Sequence, residues 1–279
     1  EQGLVDVVFK KFAKVGYTNT STNWDNWNTI VNSLQKTDDV IKIAMVGKYV
    51  TLADSYVSVN EALKHAAASI GRSVNIDWID SETFNGNLNQ LDNFDGVLVP
   101  GGFGTRGSEG IIDTATYTLE KNIPYLGICF GFQLAAIAFG RKICNLENAN
   151  STEIIADTKN PIIDLLPEQK DETDMGGSLR LGANEIKINQ DSLAYKIYNS
   201  DKISKRHRHR YEFNTNYRDE FLKKGMIFSG ESDNGKRMEI LEIPTHKFFL
   251  GVQFHPEFNS RPGFPEDVFK TFVTVASQN

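Results

Sequence analysis

Ile123-Pro124-Tyr125-Leu126-Gly127-Ile128-Cys129-Phe130-Gly131-Phe132-Gln133, running on into Leu134-Ala135-Ala136-Ile137-Ala138-Phe139-Gly140, decides the fold. The short apolar run after Pro124 reads as a buried strand, Gly-x-Cys-x-Gly as a sharp turn, and the Ala- and Phe-rich continuation as a packed helix. Cys129 therefore sits at a strand-to-helix elbow, with a glycine two residues away on each side to permit the turn. At a helix N-terminus, free backbone N–H groups and the helix dipole favour a thiolate, and the same amides can hold an oxyanion. A free cysteine is also commonly one more small buried apolar residue, so the elbow alone leaves both readings open.

Outward from the elbow, strands and helices alternate. Ile41-Lys42-Ile43-Ala44-Met45-Val46-Gly47 reads as a buried parallel strand, followed by a helix over about 55–70 and strands at Val74–Ile79 and Gly96–Val99. A helix over about 108–121 then leads to the elbow. This alternation predicts an α/β fold, a doubly wound, mostly parallel sheet with its functional loops at the strand C-terminal ends. Beyond residue 150 the texture is β-rich, with strand-like runs at 179–183, 185–188, 226–230, 238–243 and 248–254. A polar loop is expected at 167–177 and a closing helix at 266–276. Residues 1–40 read differently, as a linker with a docking helix around Trp24 and Trp27, so the main domain is expected over 41–279.

The chain has 279 residues, enough for a sizeable core, with 40% hydrophobic and 24% charged residues. No stretch approaches the roughly 20 apolar residues of a membrane span, and Glu1-Gln2-Gly3-Leu4 resembles neither a start methionine nor a signal peptide. The expectation is a cytoplasmic fragment of something longer, with no membrane partner. Two cysteines, Cys129 and Cys144, exclude a disulfide framework and a cysteine-rich zinc site, and no metal site is expected. A net charge of −6 argues against a nucleic-acid partner. The basic run Lys205-Arg206-His207-Arg208-His209-Arg210 reads by itself as a solvated face or a phosphate patch.

Two further stretches carry candidate chemistry. Pro100-Gly101-Gly102-Phe103-Gly104-Thr105-Arg106-Gly107 follows a strand end and lacks the Lys-Ser/Thr ending of a P-loop, so beside the Cys elbow it suits an oxyanion N–H better than a phosphate. His255 and Glu257 stand two apart at a strand end, where a period of two projects both to one side. A carboxylate placed there holds the imidazole in the tautomer that accepts a thiol proton. Taken singly, His255 also reads as a capped surface histidine. His65, His207, His209 and His246 show no comparable partner pattern.

Together, Pro100-Gly101-Gly102-Phe103-Gly104, Gly127-Ile128-Cys129-Phe130-Gly131-Phe132-Gln133 and Gln253-Phe254-His255-Pro256-Glu257 resemble the class I (triad) glutamine amidotransferases in order and spacing. Within these, Met45-Val46-Gly47-Lys48-Tyr49, the run Asn148 to Glu153, and Arg206-His207-Arg208-His209-Arg210-Tyr211-Glu212 are similar to the CTP synthase family. The resemblance implies a flavodoxin-like sheet and a glutaminase. Cys129 would attack the glutamine amide, His255 would carry protons, and Glu257 would orient His255. Gly102 and Phe130 would supply oxyanion N–H groups. Glu153 would meet the substrate α-ammonium, Arg210 and the Tyr211 backbone its α-carboxylate, and Phe103 and Gln133 would line the pocket.

The same resemblance implies that residues 1–40 are the tail of an amidoligase domain plus linker. It places ATP, Mg and UTP in that missing domain, with none of these cofactors here, and GTP as an allosteric effector near Arg106 and Gly107. A homotetrameric, filament-forming whole protein is implied as well. Phe130 and Phe132 depart from the Leu and Met usual in the family, and a bulkier Phe130 narrows the pocket. Two rivals remain at this stage: the amidotransferase subunit of another pathway, such as GMP or anthranilate synthesis, and a non-catalytic assembly module.

Overall fold

The computed structural model describes residues 4–12, 24–34, 39–50, 54–83, 87–165 and 179–278. The loop expected at 167–177 lies outside them. Two helices, α1 (Leu4–Phe12) and α2 (Trp24–Leu34), precede β1 (Val40–Gly47), α3 (Val57–Ser69), β2 (Ser73–Asp80) and β3 (Gly96–Val99). Then come α4 (Ser108–Lys121), β4 (Tyr125–Ile128) and α5 (Phe130–Lys142). The second half contains β5 (Ala149–Ser151), β6 (Asn160–Asp164), β7 (Arg180–Ile188), α6 (Leu193–Tyr198), β8 (Lys202–His209) and β9 (Glu212–Phe213). It closes with α7 (Arg218–Lys223), β10 (Ile227–Ser232), β11 (Arg237–Glu242), β12 (Phe249–Val252) and α8 (Asp267–Ala276).

Nine strands form one sheet in the order β2-β1-β3-β4-β12-β11-β10-β7-β8. The first five pair in parallel, which is the doubly wound half expected from the alternating elements. The remaining pairs are antiparallel. The β-rich portion thus continues the main sheet. The two runs at 179–183 and 185–188 are one strand, β7, which passes through Gly182 at φ +86.

Both faces of the parallel half are covered, which is why its strands read as unbroken apolar runs. In β1, Ala44 and Val46 face one core with Ile111, Ile112 and Ala115 of α4. Ile43 and Met45 face the other, with Leu63 and Ala66 of α3 and Phe269 and Phe272 of α8. Each fully buried Phe contributes about 1.5–3 kcal/mol.

Helix α5 is buried without a break from Phe130 to Gly140, so a single sheet face cannot cover it. A second layer does: β5, β6 and β9 form a separate three-stranded sheet on its far side, joined by α7. Phe221 of α7 lies 5.3 Å from Phe139 and 5.1 Å from Phe213 between ring centroids. The turn after β5 carries Glu153, and the β8–β9 junction carries Arg210 and Tyr211, so this layer brings both segments over the elbow.

Candidate active site

Cys129 joins β4 to α5 at φ 51, ψ −95, a backbone conformation that costs a non-glycine residue of order 1–3 kcal/mol. Packing holds it there. A Cβ on Gly127 would lie 2.6 Å from the Gly131 carbonyl carbon, and one on Gly131 would lie 2.4 Å from the Val99 oxygen. Both glycines are therefore required by close approach of backbones, while Cys129 itself takes the left-handed φ. Its N–H donates to Val252 O at 2.7 Å, tying the elbow to β12.

Strands β3, β4 and β12 are parallel neighbours, with Val99 opposite Gly127 and Ile128 opposite Val252. Their C-terminal ends therefore deliver Gly101, Cys129 and His255 to one place, as expected for a doubly wound sheet. A Cβ on Gly101 would lie 2.9 Å from His255 Cε1 and 3.7 Å from Cys129 Cβ. Gln253 Nε2 lies 3.7 Å from Cys129 Sγ.

His255 Nδ1 lies 2.8 Å from Glu257 Oε1, which leaves Nε2 for the cysteine. The expectation that strand alternation aligns this pair needs correction. Strand β12 ends at Val252, and Pro256–Asn259 is a 3-10 turn that brings the carboxylate back under the ring. Burial opposes a charged His255, yet the interactions and hydrogen bonds of Cys129 and Glu257 outweigh it and push the imidazolium up to about 10. An imidazolium held beside a cysteine is the setting in which a thiolate nucleophile is favoured.

Cys129 and His255 border a cavity of about 870 Å³ whose wall also includes Gly102, Phe103, Gln133, Glu153, Arg210 and Tyr211, while Glu257 stands behind His255. Gly102 packs on the Phe130 ring, and Phe103 stands at the rim, 67% exposed. Gln133 Nε2 donates to Tyr211 O at 2.9 Å and to Gln253 Oε1 at 3.2 Å, so its amide braces the wall. Glu153 Oε1 accepts the Gly104 N–H at 2.9 Å. Arg106 and Gly107 stand outside the wall. Arg106 pairs with Glu82 and donates to Lys48 O, and Gly107 begins α4 at φ 66 against Ser81.

Sequence reasoning missed two features. Lys48, directly after β1, is buried against the loop 101–104, and its position after an apolar strand end was the available signal. The basic run is not simply a solvated face. It forms β8, whose arginines alternate with buried His207 and His209. His207, which showed no partner pattern in sequence, has partners in space: its Nε2 lies 2.9 Å from Glu239 Oε2 and its Nδ1 lies 2.9 Å from Lys205 O. Arg180 pairs with the same carboxylate. Burial opposes ionisation of Glu239, but His207 and Arg180 hold its carboxyl down to about 2. Ligand atoms of His207, His209 and Glu239 lie within 4.8 Å of one another, and both ring nitrogens of His207 and both oxygens of Glu239 are engaged in this network. Among the described residues no helix is long and apolar enough to cross a membrane.

Residues 51–275 match the family Glutamine amidotransferase class-I. CTP synthase of Halalkalibacterium halodurans is 51% identical over 252 residues, covering 90% of this chain and 47% of that protein. CTP synthase of Staphylococcus haemolyticus is 47% identical over 280 residues, covering 99% and 51%. The chain thus spans about half the length of the curated relatives it matches. A solved glutaminase domain of Trypanosoma brucei CTPS with bound acivicin superposes with a TM-score of 0.80 at 35% identity, covering 86% of this chain and 94% of that one. A glutamine amido transferase from Methylobacillus flagellatus, at 11% identity and a TM-score of 0.52, shares the fold. An elbow cysteine, a His–Glu pair in the turn that follows the neighbouring strand and a close match along most of the sequence agree: the chain belongs to the class I glutamine amidotransferases, and among them to the glutaminase domains of CTP synthases.

Proposed function

We propose that this chain hydrolyses L-glutamine through a γ-glutamyl thioester on Cys129. The thiolate adds to the side-chain amide carbon, and the oxygen takes the negative charge beside the N–H groups of Gly102 and Phe130. Each such donor is typically worth about 10²–10³ in rate. His255 gives its Nε2 proton to the leaving nitrogen, ammonia departs, and the thioester remains. Water then attacks, losing a proton to His255, and glutamate leaves as the thiolate returns. Glu257 holds the ring by its Nδ1–H throughout. Glu153 takes the substrate α-ammonium, while Arg210 and the Tyr211 backbone take the α-carboxylate. Phe103 and Gln133 complete the pocket.

In the whole protein, ammonia passes to an amidoligase domain that uses ATP and Mg to convert UTP to CTP, with GTP as effector near Arg106 and Gly107. Residues 1–40 are the tail of that domain and the linker, and the whole protein is a homotetramer. The relatives' names and the half-length match support this division of labour. The observation that carries the reading is the meeting of Cys129, His255 and Glu257 at adjacent strand ends, beside a cavity walled by Glu153 and Arg210.

Intact-mass analysis with 6-diazo-5-oxonorleucine tests it. One adduct that is absent in Cys129→Ala is expected, together with glutamate release from glutamine. No adduct at any concentration sinks the reading. In protein that includes the amidoligase part, Cys129→Ala should lose CTP formation from glutamine and keep it with ammonium chloride.

A further inference from the structure

Lys48 is 4% exposed. A buried ammonium is costly unless it is paired, so its partners indicate what it is there to hold. Its Nζ donates to the Phe103 carbonyl at 2.8 Å and the Gly104 carbonyl at 2.5 Å, and it stands 4.2 Å from the centroid of the Phe130 ring. Gly104 is gripped from its other side by Glu153, which accepts its N–H at 2.9 Å. The Phe130 ring also packs on Gly102, with Phe130 Cδ1 3.4 Å from where a Gly102 Cβ would stand. One ammonium therefore touches both segments that carry the oxyanion donors: the loop just after Gly102 and the first residue of α5.

We infer that Lys48 is a positioning residue for acyl transfer: by fixing the Phe103 and Gly104 carbonyls and the Phe130 ring, it sets the Gly102 and Phe130 N–H groups at the separation an oxyanion needs. The inference rests on the role proposed above for those two groups. A loop free to turn its peptides loses the donor geometry without losing the pocket, so the effect falls on the reacting step and not on binding. The charged groups that face the ammonium are Glu153 and Glu82, which favour its protonation, and Arg106, which opposes it. Burial outweighs them and holds it down to about 8, so the clamp loses its charge within a usable pH range.

The test compares two reagents on Cys129 in wild type, Lys48→Met and Lys48→Arg. The analogue 6-diazo-5-oxonorleucine presents a carbonyl to the oxyanion donors, whereas methyl methanethiosulfonate reacts with the thiolate and has no carbonyl. In Lys48→Met the maximal rate of analogue capture should fall by about 10²-fold, the loss typical of a displacement near 1 Å. The half-saturating concentration should stay within about threefold and the thiosulfonate rate within about twofold, the split that marks a reacting-step effect. In wild type, capture should decline as pH rises through about 8. Lys48→Arg keeps its charge and should lose that decline.

Unchanged capture in Lys48→Met, or equal slowing with both reagents, overturns the inference. Should Lys48→Met fail to fold, the pH comparison decides, and an identical decline in wild type and Lys48→Arg overturns it. A wild-type chain that takes the thiosulfonate but never the analogue sinks the glutamine reading itself, and is distinguished by the behaviour of wild type alone.

Discussion

The backbone N–H of His255 donates to the carbonyl oxygen of Arg206 at 2.8 Å, so the edge strand β8 directly holds the residue proposed to carry protons. The next carbonyl on the same side of β8, that of Arg208, lies 3.9 Å from Cys129 Sγ. The alternating side chains of His207 and His209 are buried, and His207 is fastened to Glu239 on β11. The position of His255 therefore depends on the paired side chains of His207 and Glu239, which lie outside the cavity.

Breaking that pair should be felt in both stability and reactivity. His207→Leu takes one hydrogen-bond partner from the buried Glu239 carboxylate, which keeps Arg180 and Ser232, and is expected to cost about 1.5–3 kcal/mol, read from the urea unfolding midpoint. In the fraction that remains folded, analogue capture by Cys129 should slow. An unfolding midpoint equal to wild type would show that β8 is held by other contacts.

Glu257→Gln retains the shape of the turn but removes the charge beneath the ring. Imidazolium in place of imidazole is favoured by Cys129 and Glu257 against burial, up to about pH 10. With one of the two charges gone, the thiolate–imidazolium pair should survive over a narrower range. The thiosulfonate rate on Cys129, plotted against pH, should break at a lower alkaline pH in the variant, and glutamine turnover should fall by at least about 10²-fold. Superimposable pH profiles would remove Glu257 from the mechanism.

Glu153→Gln and Arg210→Met each delete a charge proposed to meet one end of the amino acid. A lost hydrogen bond to a charged group costs about 1.5–3 kcal/mol, so the half-saturating concentration of glutamine or its analogue should rise by about 10- to 100-fold. The thiosulfonate rate should not change, because neither residue acts on the thiol in the proposed scheme. Isothermal titration of glutamate gives an independent check on the same affinities.

Gly131→Ala drives a methyl group into the Val99 carbonyl at 2.4 Å, with no flexible side chain to yield. Overpacking of this kind costs about 1–3 kcal/mol or more, and it should lower both the thermal midpoint and the thiosulfonate rate of Cys129. Gly102→Ala is the control, since its nearest neighbour lies at an ordinary 3.4 Å and the thermal midpoint should hardly move.

Much of this site was legible because its parts are local. The β4–α5 elbow shows as an apolar run, two glycines and an apolar helix, and the spans expected for β3 and α4 agree with the structure to the residue. Other parts were hidden for identifiable physical reasons. Strand β8, Lys-Ile-Ser-Lys-Arg-His-Arg-His, alternates buried imidazole with exposed cation, and hydropathy does not separate these. Its anchor, Glu239, is 32 positions from His207 and sits in a run that reads as ordinary apolar strand. The pairing of His255 with Glu257 was anticipated on a strand period, but a proline-led 3-10 turn supplies it. The second layer over α5 was not read from the sequence, because the strands that form it are only two to five residues long, too short to leave a pattern.

The left-handed backbone of Cys129 has a consequence for how the protein is lost. Its φ of 51 is maintained by Gly127 against Gly131 and by Gly131 against Val99, contacts among three segments that exist only when β3, β4 and α5 are assembled. No part of this chain can keep a poised nucleophile while the sheet comes apart. Chemical competence and cooperative folding should therefore disappear in a single transition, which makes the thiol at position 129 a built-in reporter of the native state.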